Sequence, residues 1–313
     1  MPTTLIIGRH DDPHTEAVTL ALKNLGQEVV HFDTFRQDFF ELGFASVNES
    51  DKFLKVIDST SKNISSVWLR QKPLVPSPWW SPLEHDAARF TQNEWRNLIQ
   101  SLFQFMPSAK WINNPELQTL INFKPRQLEI ANSVGFLVPP TLITNNPYAI
   151  SDFIDVQTKV IYKTLSGYIF SDQTGILTTI LTSDTVRDNF DSIKRAPGIY
   201  QKFIEKSYEV RVTVVGSKYF VSRIETPKSG LGSVDWRHSH FDDIFREGEI
   251  PNEIAEYIKQ FQIVSGIHYG AYDFIVCPNG KWYFLECNPA GQFLWLERAL
   301  GHKISEALAE DLL

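Results

Sequence analysis

Two apolar segments near the C-terminus, residues 271–276 and 282–287, constrain the fold more than any other feature of the sequence. Asn279-Gly280 lies between them, and this dipeptide favours the tight turn of a β-hairpin because both residues accept positive φ with little strain. Residues 208–215 and 218–225 are two further strong β segments upstream. The C-terminal part of the chain is therefore predicted to form a mainly antiparallel sheet.

Each strand of the predicted hairpin carries one carboxylate among apolar residues, Asp273 in the first and Glu286 in the second. Asn288 follows two positions after Glu286, so these two side chains point to the same face of the strand. Three oxygen ligands from paired strands suit a hard cation such as Mg²⁺, which takes its other ligands from water and nucleotide phosphates. The alternative is that the two carboxylates merely end strands at the surface.

The first third of the chain predicts a parallel α/β unit. Residues 4–8 and 28–32 are short apolar segments, and residues 14–25 between them have the apolar spacing of a helix that Gly26 ends. This strand–helix–strand order indicates parallel pairing, and residues 66–70 predict a further strand. The other predicted elements are helices at 84–105, from Pro115 toward Lys124 and at 184–194, with strands at 139–143, 159–163, 175–179 and 199–204.

Two lysines stand out by their surroundings. Lys163 ends an apolar strand just before Ser166-Gly167, where a lysine reaches phosphate oxygens while backbone N–H groups of the loop assist. Lys124 lies in an apolar stretch after Ile121. Each is a candidate phosphate ligand, and for each an ordinary surface lysine is the alternative.

Charged side chains also alternate with apolar ones in the upstream strands. Glu209 and Arg211 share one face of their strand, while Val210 and Val212 share the other. Arg223 lies on the next strand, so the two arginines could share one face beside the carboxylates and form an anion site. Cross-strand ion pairs on a solvated face are the alternative.

Composition limits the class of function. The chain has 313 residues, 42% hydrophobic and 21% charged, and a net charge of -7, which does not favour nucleic-acid binding. Its two cysteines form no CxxC pair, which fits a reduced, intracellular protein. No signal peptide or membrane-length apolar run is recognisable, so a cytoplasmic protein without a membrane partner is expected. Without GxSxG, P-loop or GxGxxG motifs, hydrolase, P-loop kinase and Rossmann dehydrogenase functions are disfavoured.

The loop at residues 235–243 (DWRHSHFDD) combines histidines with carboxylates. His238 and His240 lie two positions apart, but neither a cysteine nor a distant histidine completes a zinc set. A polar loop that faces a substrate is the favoured interpretation.

Taken in chain order, the segments from Lys124 to about Gln292 resemble the ATP-grasp superfamily. The N-terminal α/β unit resembles the pre-ATP domain of that superfamily more loosely. The resemblance implies an α/β fold of three parts with ATP and Mg²⁺ as cofactors. These parts are an N-terminal parallel α/β pre-ATP domain (1–115), a central lid domain (116–205) and a C-terminal, mainly antiparallel α+β domain (206–313).

The resemblance also implies residue roles. Lys124 and Lys163 match the lysines that hold the phosphates, and Glu209 matches the acidic residue near the ribose. Arg211 and Arg223 match residues near the transferred phosphoryl group. The strand that contacts adenine matches Gln201, Lys202, Phe203 and Ile204, and the magnesium ligands match Asp273, Glu286 and Asn288.

Within this superfamily the chain is most similar to the ligases that cross-link ribosomal peptides, the microviridin-type or graspetide maturases. The most specific string is residues 284–295 (FLECNPAGQFLW), supported by residues 67–70 (VWLR), 208–212 (YEVRV) and 235–237 (DWR). Glutamate-adding ligases are also similar, but they usually carry an Asn and paired glycines where His238-Ser239-His240 stands here. The peptide ligases are therefore favoured.

This resemblance implies an ATP-dependent ligase that activates Asp or Glu carboxylates of a precursor peptide as acyl phosphates. Thr or Ser hydroxyls, or Lys amines, would then give macrocyclic esters or amides. The leader would dock on the helix near residues 184–194, with Asp184, Asp188 and Asp191 as contacts, although a solvated acidic face is the alternative. Arg237 and Asp235 would lie beside the acyl site, and a homodimer is expected. The alternative function is an ATP-grasp carboxylate–amine ligase for a small molecule or for glutamate addition.

Overall fold

A computed structural model describes residues 3–33, 40–46, 50–56, 59–60, 64–70, 84–166, 178–225, 227 and 244–313. Within these ranges the chain forms three larger sheets and one small one, with helices packed between and around them. The first sheet is parallel and the other two larger sheets are antiparallel. This confirms the predicted α/β fold class.

The N-terminal elements build a four-stranded parallel sheet of order β2-β1-β6-β7. All five residues of its strand β1 are buried, as expected for a parallel sheet covered on both faces. The elements are β1 (Thr3–Ile7), α1 (Pro13–Asn24), β2 (Glu28–Phe32), β3 (Phe40–Ser46), β4 (Ser50–Val56), β5 (Ser59–Thr60), β6 (Ile64–Leu69), α2 (His85–Gln100), α3 (Leu102–Phe105) and β7 (Lys110–Ile112). Strands β3, β4 and β5 form the small antiparallel sheet.

The helix predicted over residues 84–105 is divided at Ser101 into α2 and α3. The Ser101 hydroxyl donates to the carbonyl oxygen of Asn97 at 3.0 Å, which competes with the regular helical pattern. Serine in this role bends helices. The Ser101 backbone N–H also donates to this carbonyl oxygen, at 3.2 Å, so α2 ends at an acceptor that the backbone and the hydroxyl share.

Two helices follow the N-terminal sheet, α4 (Pro115–Ile121) and α5 (Lys124–Val134). Asn114 caps α4 by accepting from the backbone N–H of Glu116, and Pro115 occupies the first turn, where its missing N–H costs nothing. Lys124 is therefore the first residue of a new helix. The predicted domain boundary near residue 115 stays a prediction. Both helices pack against the C-terminal sheet.

The central part is a small antiparallel sheet of order β10-β9-β11-β8 with three helices. Its elements are β8 (Thr141–Thr144), α6 (Pro147–Gln157), β9 (Val160–Lys163), β10 (Thr179–Leu181), α7 (Ser183–Asp188), α8 (Phe190–Arg195) and β11 (Gly198–Lys202). The single helix predicted at 184–194 is interrupted at Asn189, whose side-chain amide donates to the Thr185 carbonyl oxygen. Residues 175–177 of one predicted strand lie outside the described residues.

The C-terminal part is a five-stranded antiparallel sheet of order β14-β13-β12-β15-β16. Its elements are β12 (Tyr208–Val215), β13 (Lys218–Ile224), β14 (Phe245–Glu247), α9 (Asn252–Ser265), β15 (Tyr269–Val276), β16 (Trp282–Asn288), α10 (Leu294–Leu300) and α11 (Ile304–Leu312). One face of this sheet packs against α4, α5 and α9 through a large apolar cluster. The predicted hairpin is present, with Gly280 at a φ of 78° in its turn.

Helix α11 packs against two parts of the molecule. Residues Ile304, Leu308 and Leu312 of α11 share one apolar cluster with Ile6 and Trp68 of the parallel sheet. Val215 and Tyr269 of the C-terminal sheet join the same cluster. The helix therefore fills the space between the N-terminal and C-terminal sheets. Among the described residues, no helix is long and apolar enough to cross a membrane.

Candidate functional site

The hairpin of β15 and β16 brings the three predicted metal ligands together. Asp273 pairs in register with Glu286, and Ala271 pairs with Asn288, so all three polar side chains occupy one face. The Asn288 amide nitrogen lies 3.1 Å from Glu286 Oε1 and 3.5 Å from Asp273 Oδ2. The three side chains therefore lie close enough together to hold one small cation, provided that the Asn288 amide turns its oxygen toward it.

A β-bulge directly beside this group sets which side chains face it. The register shifts between Asp273 and Phe274, so that Phe274 pairs with Phe284 and Leu285 is the extra residue. In a regular strand, Phe284 and Glu286 would lie on the same face. The bulge instead places Phe284 in the apolar core, at 0% exposure, and Glu286 on the opposite face.

Arg211 fixes the first carboxylate. Its Nε and Nη2 donate to the two carboxylate oxygens of Asp273, each at 2.7 Å, in a bidentate pair that joins neighbouring strands. Burial lowers the pKa of the Arg211 guanidinium, but the charge and hydrogen bonds of Asp273 outweigh it and raise that pKa above its ordinary value. The Arg211 guanidinium therefore keeps its positive charge throughout the physiological range.

The second carboxylate, Glu286, interacts with two lysines. Lys124, at the start of α5, donates to its Oε2, and Lys163 of the central sheet adds a further positive charge. Burial raises the pKa of Glu286, but Lys124, the Asn288 amide and Lys163 together bring it well below its ordinary value. Lys124 thus contacts a predicted magnesium ligand directly, and Lys163 acts on the same carboxylate through its charge.

The donor set fits a magnesium site. Two carboxylates and one amide provide hard oxygen ligands on one face, and they leave coordination positions for phosphate oxygens and water. Among the described residues, no group of three or more His, Cys, Asp or Glu side chains is arranged to hold a metal. An all-protein cage of such ligands, as structural zinc requires, is therefore not found in this part of the chain.

The predicted adenine-binding segment comprises the end of β11 in the central sheet and the two residues after it. Gln201 is 2% exposed, accepts from Lys163 Nζ at 3.0 Å and donates to Thr141 Oγ1 at 2.9 Å. Lys202 is exposed and ends β11, and Phe203 and Ile204 follow the strand rather than belonging to it. One hydrogen bond therefore links this segment to the lysine that acts on Glu286.

Glu209 occupies a buried position at the start of β12. Its carboxylate contacts the Lys206 ammonium, and the two side chains are 10% and 5% exposed. Lys206 was not identified from the sequence, although its spacing of three residues from Glu209 was visible there. This carboxylate is therefore neutralised within its own segment.

The predicted common face for the two arginines is wrong. In the register of β12 and β13, Arg211 pairs with Ser222, whereas Arg223 pairs with Val210, so the two arginines lie on opposite faces. Arg223 lies over the ring of Tyr208, 3.8 Å from its centroid, and 2.7 Å from Glu225. The sequence error arose because the offset between two adjacent strands cannot be read from alternation within each strand. The role of Arg223 near the phosphoryl group stays a prediction.

Solved structures with a similar fold are known. An ATP-grasp ligase associated with ribosomal peptides from Chryseobacterium gregarium, in complex with ADP and a leader and core peptide, superposes with a TM-score of 0.87 at 28% identity, over 100% of this chain and 96% of that one. The macrocyclase MdnC from Microcystis aeruginosa, bound with the precursor peptide MdnA, gives 0.86 at 26% identity, over 99% of each chain.

This chain has the ATP-grasp ligase fold. The ATP-grasp resemblance stated from the sequence is therefore confirmed, as is the assignment to the ATP-grasp ligases. A third ATP-grasp ligase, PsnB, complexed with a phosphomimetic variant of a minimal precursor, Mg and ADP, shares the fold at a TM-score of 0.79 and 22% identity, over 100% of this chain and 98% of that one. No protein-family profile and no curated protein sequence matches the chain.

Two buried amides that hold this ATP-grasp site were missed in the sequence. Asn113 donates to the carbonyl oxygens of Tyr269 and Pro289 at 2.8 and 2.7 Å, and its own oxygen accepts from His268 and Tyr269. Gln127 of α5 pairs with both backbone groups of Cys287, at 2.8 and 2.9 Å. Their partners lie more than 150 positions away, so no local pattern could have revealed them.

Some of the predicted peptide contacts lie among the described residues and others lie outside them. Asp184 and Asp188 lie on α7 and Asp191 lies on α8, and all three are exposed. Asp184 pairs with Arg187 at 2.9 Å. Asp235 and Arg237, with the nearby histidines and the glycine loop after Lys163, lie outside the described residues. These roles stay predictions.

Proposed function

We propose that this chain is a Mg²⁺- and ATP-dependent ligase that joins side-chain carboxylates of a ribosomal precursor peptide to hydroxyl or amine groups of the same peptide. The observation that carries the proposal is the charged group formed by Arg211, Asp273, Glu286 and Asn288 with Lys124. Its carboxylates and amide suit a cation, and its lysine and arginine suit the phosphates that accompany that cation.

In this proposal Asp273, Glu286 and Asn288 hold Mg²⁺, and Lys124 and Lys163 hold the nucleotide phosphates. ATP supplies the phosphoryl group that turns a carboxylate into an acyl phosphate, from which phosphate can leave. Arg211 and Arg237 balance the negative charge that gathers at the reacting oxygens. Arg223, predicted for the same role, lies on the face of the sheet opposite Arg211. The adenosine contacts come from Gln201, Lys202, Phe203, Ile204 and Glu209.

Charge balance supports this assignment. Asp273 and Glu286 are neutralised by Arg211 and Lys124. Mg²⁺ held by these ligands would neutralise the carboxylates, so the ammonium of Lys124 would be available to a phosphate oxygen. Neither carboxylate would then be left without a positive partner.

The peptide substrate is supported by the similar enzymes. The Chryseobacterium ligase was solved with a leader and core peptide, and the Microcystis macrocyclase with a precursor peptide. We propose that Asp184, Asp188 and Asp191 contact the leader and that Asp235 contacts the core. Whether the bond is an ester or an amide depends on the acceptor side chain of the peptide.

The decisive experiment incubates the full chain with ATP, Mg²⁺ and a precursor peptide encoded beside its gene. The expected product is lighter than the peptide by one water for each bond, and one ADP and one phosphate appear with each water lost. Unchanged peptide mass combined with ADP release on free amino acids would refute the peptide proposal and favour a small-molecule or glutamate-adding ligase. The expected homodimer is tested by light scattering of the purified protein.

A further inference from the structure

Residues 289–294, which follow the predicted ligand Asn288, are held almost entirely from outside their own strand. This segment, here called the 289–294 loop, runs from the end of β16 to the first residue of α10. Asn113 donates to the carbonyl oxygen of Pro289, and Tyr269 Oη donates to that of Gly291 at 2.6 Å. The loop therefore owes its shape to residues that are distant in sequence.

The N-terminal parallel sheet contributes a buried ionic group to the same loop. Arg70, which follows β6, is 6% exposed. Its Nη1 donates to the Ala290 carbonyl oxygen at 2.8 Å, and its Nε donates to Asp12 Oδ2 at 2.9 Å. One planar guanidinium thus connects the start of α1 to the loop.

His14 provides the second connection. Its Nε2 accepts the backbone N–H groups of Phe293 and Leu294 at 3.2 and 3.3 Å, at the start of α10. An acceptor at Nε2 places the ring proton on Nδ1, which lies 2.8 Å from Asp12 Oδ1. Asp12 therefore orients both the histidine and the arginine.

The loop also packs too closely to move without consequence for Asn288. A Cβ atom at Gly291 would lie 2.6 Å from the Ala271 side chain and 3.2 Å from the Asn288 carbonyl oxygen. The Gly291 N–H donates to that same carbonyl oxygen at 3.1 Å. A displacement of the loop is therefore passed directly to Asn288.

We infer that Asp12, His14 and Arg70 form a positioning clamp that sets the Asn288 side chain for Mg²⁺ by fixing the 289–294 loop. The N-terminal sheet is then part of the metal site. This inference rests on the proposed function, because it concerns the magnesium ligands. Outer residues that orient metal ligands typically change metal affinity by roughly 10- to 100-fold when they are replaced.

The test measures two properties of the full chain without peptide: the Mg²⁺ concentration that half-saturates Mg²⁺-dependent ADP binding, and backbone hydrogen exchange at residues 288–294. Arg70→Lys keeps the charge but loses the planar fork that spans Asp12 and Ala290. Val67→Ala is the matched control, because Val67 is fully buried on β6, the strand that Arg70 follows, and packs with Leu5 and Trp111.

We expect Arg70→Lys to raise the half-saturating Mg²⁺ concentration at least about tenfold and to speed exchange in the loop. Val67→Ala should lower stability while leaving both properties at their wild-type values. If Arg70→Lys does not fold, His14→Asn is the second variant, since it keeps a nitrogen near Asp12 and removes the acceptor for Phe293 and Leu294. The same rise is expected there.

Unchanged Mg²⁺ dependence in the folded variant, or an equal rise in Val67→Ala, would overturn the inference alone. A wild-type chain that binds no ADP at any Mg²⁺ concentration would overturn the proposed function as well. The two failures are therefore distinguishable.

Discussion

The two faces of the five-stranded sheet are built from the same strands but differ in almost every property. On the apolar face Val212, Phe274 and Phe284 are each 0% exposed. On the charged face the side chains of Arg211, Asp273 and Glu286 are 12%, 17% and 33% exposed. Alternation along β12 and β15, together with the bulge in β16, produces both faces.

This difference between the two faces separates the residues that stabilise the chain from the residues proposed to carry its function. Burial of apolar area dominates the free energy of folding, whereas partly exposed ion pairs contribute little to it. The charged face can therefore carry several paired charges at small cost, because the opposite face and its helices stabilise the sheet. Substitutions on the two faces should have effects that separate in the same way.

The largest expected effect is that of Glu286→Gln on the charged face. It removes a proposed metal ligand and the partner of Lys124, so kcat/KM for the peptide reaction should fall by about 10³-fold. The midpoint of thermal unfolding should change little, because the ion pair is partly exposed. Glu256→Gln on the exposed side of α9 is the control. Turnover that survives Glu286→Gln would show that the magnesium assignment is wrong.

Phe284→Ala tests the apolar face at nearly the same point of β16. Phe284 stacks on Phe136, with ring centroids 5.2 Å apart, in the core. Its loss should lower the free energy of unfolding by about 3–5 kcal/mol, measured by urea denaturation. KM for ATP in the folded protein should stay close to the wild-type value. A large rise in KM without loss of stability would break the separation of the two faces.

Arg211→Lys keeps the positive charge and removes the bidentate geometry with Asp273. We expect kcat/KM to fall by about 10²-fold. Arg223→Lys, on the opposite face, should lower it by less than about tenfold, since the Arg223 ion pair is near 40% exposed. Steady-state kinetics of both variants ranks the arginines, and equal losses would restore the role predicted for Arg223.

The smallest expected effect concerns Asp12, which supports the charged face from the N-terminal sheet together with His14 and Arg70. Burial raises the pKa of Asp12, but the His14 ring, its backbone N–H and Arg70 lower it to about 2 from its ordinary 3.8. Because the folded pKa is depressed, the stabilisation, about 2 kcal/mol, is fully present above pH 4 and is lost as the pH falls toward 2. The difference in unfolding free energy between wild type and Asp12→Asn should therefore shrink below pH 4. A difference that is constant from pH 6 to pH 3 would contradict it.

The sequence predicted the parts of the site that depend on local alternation. The hairpin, the shared face of Glu286 and Asn288 and the strand at 208–215 follow from side-chain period and turn chemistry, and the structure has them. The relative register of β12 and β13 does not follow from either strand alone, which is why Arg223 was placed on the wrong face. The contacts of Asn113 and Arg70 depend on how distant segments pack.

Helices were predicted less well where a polar side chain shares a carbonyl acceptor with the backbone. Ser101 and Asn189 lie at the breaks in two segments that were each predicted as a single helix. Helices α9, α10 and α11 were not identified at all, although Gly266 and Gly301 end two of them.

The position of α11 has a consequence for how the protein is made. This helix covers the inner side of α1 and of the parallel sheet, yet it follows every other described element in the sequence. Ile6 and Trp68 thus have no complete core until the ribosome has made α11. A nascent polypeptide that lacks α11 would expose apolar surface on both sheets, and such chains are natural clients for chaperones.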